Sequence, residues 1–123
     1  MITKQRYYEK LIVWKEAHAL CLSVYKITAA FPSSERFALV VQMRKSSSSV
    51  STNIVEGNGR RTLPQKLRFA EIAEGSLDEL DYQLLLSFDL GYINKEKFDE
   101  LRSHAQRVKY LLSQFRAGIK KYQ

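Results

Sequence analysis

Helix-stopping combinations fall at three places in this chain and cut it into four segments of helical length. They are Phe31-Pro32, Gly57-Asn58-Gly59 and Gly91. Proline disfavours helical geometry in the residue before it, and glycine ends helices by accepting a left-handed conformation after the last turn. Five glycines and two prolines among 123 residues are too few for the many turns of an all-β domain. The expectation is all-α: an up-down antiparallel four-helix bundle, one domain over residues 1–123, with three short connections.

Periodicity inside the segments supports this. From about Glu9 to Ala30, Leu11, Trp14, His18, Cys21, Tyr25 and Thr28 form one stripe, and Val13, Ala17, Leu20, Val24, Ile27 and Phe31 a second. Two stripes make a face wider than one helix seam needs, which points to self-association. Ser33 or Ser34 is expected to cap the second helix, with Glu35 at the positive end of its dipole. Phe37, Val41, Arg44, Ser48, Ser51 and Val55 follow a helical period there, weakened across Ser46-Ser47-Ser48-Ser49-Val50-Ser51-Thr52-Asn53. Serine is a mediocre helix former. The run reads either as a polar linker or as a helix whose small side chains admit a close neighbour, with hydroxyls bonding back to carbonyls four residues earlier. The apolar pairs Val40-Val41 and Ile54-Val55 on its flanks favour the helix.

Gly57 or Gly59 is expected to be left-handed at the end of that helix. Thr62-Leu63-Pro64-Gln65 has the form of a capping box. The third helix then runs to about Leu90, with Leu63, Leu67, Ala70, Ala73, Leu77, Leu80, Leu84 and Phe88 on one face. Gly75 inside it implies close packing at that point. Asn94 is expected to cap the fourth helix, where Phe98, Leu101, Ala105, Val108, Leu112, Phe115 and Ile119 repeat in strict three-four alternation. The aromatics at helical spacing, Trp14 and Tyr25 among them, read as core. Tyr7, Tyr8, Tyr92 and Tyr122 read as exposed.

The formal net charge is +7, a sign either of a polyanion partner or of a basic surface with no particular partner. It is unevenly spread: residues 1–31, 32–61, 62–93 and 94–123 carry +3, +3, −4 and +5. The third helix, with Glu71, Glu74, Asp78, Glu79 and Asp81, is the acidic one. Its charges can pair with those of the fourth helix, between helices or between subunits. Alternatively, the basic residues track nucleic-acid phosphates; the candidates are Arg44, Lys45, Arg60, Arg61, Arg102, Arg107, Lys109 and Arg116.

No catalytic constellation is present, and the expectation is a non-enzyme with no cofactor. Cys21 is the only cysteine, so no intramolecular disulfide or multi-cysteine zinc site is available, which fits a reducing cytoplasm. No apolar run approaches membrane-spanning length, and no membrane association is expected. His18 lies in an apolar stripe and reads as a packing residue. His104 follows Glu100 by one turn, the spacing of a helix-surface pair. No metal site is expected. The serines have no histidine placed to activate one of them. Gly57-Asn58-Gly59-Arg60-Arg61 lacks the lysine and glycine spacing of a P-loop; it reads as an interhelix turn or as an anion site at the start of the third helix. Asn53, Glu56, Gly57 and Gly59 are assigned to that turn, with Arg60 pairing to Glu56.

The segment from Phe31 to Arg61 resembles the signature of the bacterial four-helix bundle proteins encoded in intervening sequences of 23S ribosomal RNA genes. The matching residues are Phe31, Pro32, Glu35, Leu39, Gln42, Arg44, Lys45, Ser49, Asn53, Ile54, Glu56, Gly57, Gly59 and Arg60. Further matches are Val13 to His18, Phe69, Ala73, Gly75 to Leu77, Glu79, Leu80 and Leu90 to Ile93, so the resemblance covers roughly residues 11–95. It departs from the pattern at Ala38, Lys45-Ser46 and Glu74; the last removes a positive charge from the third helix. The resemblance implies a four-helix bundle and a ring-like homopentamer, with no known enzyme activity. Distantly similar bundles are accessory proteins of diversity-generating retroelements, where a basic pentamer engages nucleic acid.

Overall fold

In a computed structural model, which describes residues 6–121, a 3-10 turn at Tyr7–Lys10 leads into four helices. These are α1 (Ile12–Thr28), α2 (Leu39–Asn58), α3 (Leu63–Asp89) and α4 (Lys95–Lys121). Among the described residues there is no strand. Each helix packs on the next, and α1 closes the square against α4. Partners run in opposite order along each pair: Ser46 meets Gln83 and Ser49 meets Ser76 between α2 and α3, while Arg102 meets Asp81 and Arg116 meets Glu74 between α3 and α4. The bundle is up-down and antiparallel, as the breakers imply.

Buried apolar side chains of all four helices form one continuous cluster. On α3 and α4 the buried positions follow the expected stripes. On α1 the second stripe is the core; of the first, Cys21 and Thr28 are buried, Leu11 and Trp14 are half-buried, and Tyr25 is 44% exposed rather than buried.

The expected face of α2 is wrong. Phe37 is 87% exposed and Val41 50%. The buried side is Leu39, Val40, Met43, Ser46, Ser47, Val50, Ser51, Ile54 and Gly57. Serines carry no hydrophobic signal, and Val50 is the one apolar side chain between Met43 and Ile54, too sparse a mark to set the phase of the pattern. The serine run is helical and packs against α3, as its small side chains allow. The hydroxyls of Ser46, Ser47, Ser48 and Ser51 donate to carbonyls three residues earlier, not four. Across the seam Ser49 and Ser76 hydroxyls lie 2.8 Å apart, Ser46 shares its proton between the Met43 carbonyl and Gln83 Oε1, and the Ser87 hydroxyl, which donates to the Gln83 carbonyl at 2.8 Å, also lies 3.3 Å from Met43 Sδ. These partners matter, because a buried hydroxyl without one costs about 1–3 kcal/mol.

The ends of α2 also differ from expectation. Ser33–Glu35 is a separate 3-10 turn without a side-chain cap, and α2 starts after Ala38. Glu35 accepts a hydrogen bond from the Tyr92 hydroxyl at 2.7 Å instead of facing the α2 dipole. Gly57 and Gly59 are not left-handed; Gly91 is, with φ 81°, the only positive value among the described residues. Around it, the N–H groups of Tyr92 and Gly91 donate to the carbonyls of Ser87 and Phe88, a complete Schellman closure of α3. Gly57 is needed for another reason: a Cβ there would sit 2.9 Å from Phe69 Cβ, where α2 and α3 come together. Gly75, by contrast, is exposed with open space around it, so the close packing expected there is absent. Thr62 and Asn94 cap α3 and α4, accepting from the N–H groups of Gln65 (3.4 Å) and Lys97 (2.8 Å).

The two ends of the bundle are built differently. At one, Phe31 packs on Tyr92 (5.2 Å between centroids) and Phe88 stacks on Phe98 (4.7 Å). Tyr92 is therefore half-buried, not exposed, and its bond to Glu35 chiefly raises its pKa above the ordinary 10.0. At the other end the turn Tyr7–Lys10, the α2–α3 connection and the end of α4 leave a groove. Tyr8 is half-buried there, edge-on to Trp14, while Tyr7 is 68% exposed. Tyr122 lies outside the described residues.

Candidate nucleic-acid interface

The basic residues of α4 face carboxylates. Arg102, Lys109 and Arg116 recur every seven residues, so they lie along one edge of the α4 seam. Glu74, Asp78 and Asp81 recur along the facing edge of α3, in the reverse direction. Arg102 grips Asp81 through both oxygens, Nε to Oδ1 at 3.0 Å and Nη2 to Oδ2 at 2.9 Å. Lys109 Nζ lies 2.9 Å from Asp78 Oδ1. Arg116 Nη1 donates to Glu74 Oε2 at 3.1 Å and sits 3.0 Å from Oε1 as an ion-pair contact. The fourth residue, Arg107, turns to α1 and donates to Glu16 Oε1 at 3.0 Å. The bonds to Asp81 and Asp78 raise the pKa values of Arg102 and Lys109 and hold both charged. These four candidates therefore have intramolecular partners. Each such partly exposed pair is worth about 1 kcal/mol or less.

His104 joins this cluster: its Nε2 is 3.5 Å from Glu16 Oε1, so its partner is on α1 and not Glu100. His18 is exposed and stacked on Trp14 at 4.8 Å, not packed in the core. Among the described residues no group of three or more His, Cys, Asp or Glu side chains is arranged to hold a metal ion.

Arg44 is engaged differently. Its Nε donates to Thr28 Oγ1 at 3.0 Å and its Nη2 to the Tyr25 carbonyl at 3.2 Å, with the guanidinium 4.7 Å from the Tyr25 ring centre. A cation placed there meets the carbonyls and negative dipole of the α1 C-terminus. Lys45, next along the chain, is exposed with no carboxylate at salt-bridge distance among the described residues.

The two arginines of the α2–α3 connection part company. Arg60 donates to Glu56 Oε2 at 3.0 Å and lies over the Phe69 ring at 4.9 Å. Arg61 is exposed and has no carboxylate partner among the described residues. Asn53 does not reach the turn; its amide donates back to the Ser49 carbonyl and hydroxyl, at 2.7 and 3.0 Å. Gly57 sets the close approach to α3, and Gly59 continues the helix geometry, its N–H donating to Val55 and Glu56 carbonyls.

Arg61 opens onto the groove at this end, a cavity of about 490 Å³ lined also by Tyr7, Gly57, Asn58, Leu63, Lys66, Phe115, Gly118 and Ile119. Lys66, which sequence reasoning overlooked, reaches the Asn58 carbonyl at 3.4 Å. Across the groove, Gly118 sits within the continuous helix α4 between Phe115 and Ile119, and a Cβ there would touch nothing within 4 Å.

Geometry and topology together define an all-α four-helix bundle protein with a polar, serine-lined seam. The chain belongs to the 23S rRNA-intervening sequence protein family, whose model matches residues 9–114. It is also similar to the 1.70 Å crystal structure of a protein of unknown function from the S23 ribosomal protein family of Bacteroides thetaiotaomicron VPI-5482. That likeness has a TM-score of 0.77 and 19% identity over 85% of this chain and 98% of the other, and it shows the fold alone. No curated protein matches the sequence. Among the described residues no helix is long and apolar enough to cross a membrane.

Proposed function

We propose that this protein is a non-enzymatic scaffold that self-associates and binds nucleic acid through the cations that have no partner within the bundle. One observation carries the nucleic-acid reading. The α4 cations are matched by carboxylates, yet Lys45 and Arg61 are exposed without a carboxylate in a chain of net charge +7. Uncompensated surface cations release condensed counterions from a polyanion, which drives sequence-independent binding. Gel-shift titration against RNA and DNA at several salt concentrations tests it. Log affinity should fall linearly with log salt; no binding at low salt removes the reading.

Self-association is supported by the outer face of α1 and α2. Leu22 and Tyr25 on α1, Val41 in the first turn of α2 and Phe37 just before it are 57%, 44%, 50% and 87% exposed, and Tyr25 packs against Arg44 of α2. Clustered apolar exposure of this kind marks interaction surfaces. The family resemblance makes a ring of five the expected assembly. Light scattering should give a multiple of the 14.3 kDa chain mass, and a monomer at micromolar concentration contradicts it.

The alternative, a structural assembly without a nucleic-acid role, gains one argument. The α4 charges pair within the chain, so they do not need a partner subunit or a polyanion. Charge reversal at Arg107 or Lys109 should then change stability slightly and leave assembly size unchanged.

A further inference from the structure

We infer that the groove at the open end of the bundle receives one unpaired nucleotide of a single strand, its phosphate at Arg61 and Lys66 and its base against Tyr7 and Phe115. The inference rests on the nucleic-acid reading above and narrows it to a place and a strand state.

Several features of the groove converge. Its volume, about 490 Å³, lies within the range of ligand sites. Its walls combine two aromatic side chains with two cations and contain no acidic side chain. Base–aromatic stacking beside phosphate-binding cations is how proteins hold single strands, since every base has a face to stack. Arg61 is exposed, whereas its neighbour Arg60 is tied to Glu56 and Phe69. Lys66 is positioned by the Asn58 carbonyl, a neutral acceptor, at 3.4 Å. Gly118 is a further feature. Nothing in the bundle lies close enough to demand glycine there, and alanine is the better helix former. Gly118 lines the groove between Phe115 and Ile119, and a longer side chain added there has room to occupy it. A base paired in a duplex is stacked on its neighbours and is not available to enter such a groove; an unpaired base is.

The test uses the full chain and fluorescence anisotropy at low and moderate salt. The probes are a labelled, unstructured 20-nucleotide RNA and a duplex of the same length. The single strand should bind about tenfold or more tighter than the duplex. Arg61→Glu should weaken single-strand binding about tenfold. Gly118→Leu, which fills the groove from an unobstructed position, should abolish the preference for the single strand while duplex binding persists; Gly118→Ala should change little. Circular dichroism checks that each variant is folded.

The inference is overturned if Gly118→Leu leaves single-strand affinity within twofold of wild type, even where Arg61→Glu weakens both probes equally; nucleic-acid binding would then stand without the groove. A change of assembly mass in Gly118→Leu would make the groove a contact between copies and likewise overturn it. If neither probe binds at low salt, the nucleic-acid reading itself fails.

Discussion

The α4 flank and the α2–α3 connection look alike in sequence, both rich in arginine and lysine, but their cations have different surroundings. Along α4, Arg102, Arg107, Lys109 and Arg116 each lie within about 3 Å of a carboxylate on α3 or α1. At the connection, Arg60 is paired but Arg61 faces solvent and a groove. Local density of basic residues is therefore a poor guide to which cations are left without a carboxylate. What decides is whether the opposing helix carries acids in the matching register, and α3 supplies them at Glu74, Asp78 and Asp81.

Removing those acids should convert one region into the other. Asp78→Asn together with Asp81→Asn frees Lys109 and Arg102 along one edge. Nucleic-acid affinity at low salt should rise about tenfold, and the salt slope should steepen by roughly 1.4–1.8 for two added phosphate contacts. An unchanged slope in the titration breaks the comparison. A smaller effect is expected from Gly57→Ala, which sets a methyl 2.9 Å from Phe69 Cβ and forces α2 from α3 beside the connection. Thermal denaturation should show a loss of about 1–3 kcal/mol, the ordinary cost of overpacking. Arg102→Ala should cost about 1 kcal/mol or less, since the pair with Asp81 is partly exposed. A larger loss in denaturant melts would mean that the α4 pairs hold the bundle together.

The smallest effect is a pH dependence at the closed end. The bond to Glu35 raises the pKa of Tyr92, so the protonated hydroxyl is favoured in the folded state. Its contribution is present below about 10, the ordinary tyrosine pKa, and is lost as pH rises through the raised value. Lys109, raised by Asp78, contributes on the same alkaline limb. Tyr92→Phe should therefore narrow the stability difference between pH 8 and pH 11 in urea titrations without abolishing it. An unchanged difference would place the alkaline loss elsewhere.

Much of the fold was legible because its signals are local. Phe31-Pro32 and Gly91 end helices, Thr62 and Asn94 begin them, and the repeat from Phe98 to Ile119 marks a buried seam without reference to any neighbour. The phase of α2 was not legible, since Val50 is the one apolar side chain among the eight residues Ser46 to Asn53, and the exposed Phe37 and Val41 outweighed Leu39 and Met43. The reason for Gly57 was hidden because it lies in Phe69, on another helix. The candidate interface suffered most. The charge of Arg102 and of Arg61 is the same in the sequence, and only the antiparallel docking of α3 on α4 separates them.

The most direct measurement compares Arg61→Glu with Arg107→Glu, two reversals that change net charge equally. With single-stranded RNA at low salt, the first should lose about tenfold or more in affinity and the second should stay within about twofold of wild type. Equal losses, or the larger loss at Arg107, would contradict the division of the basic residues into paired and available sets.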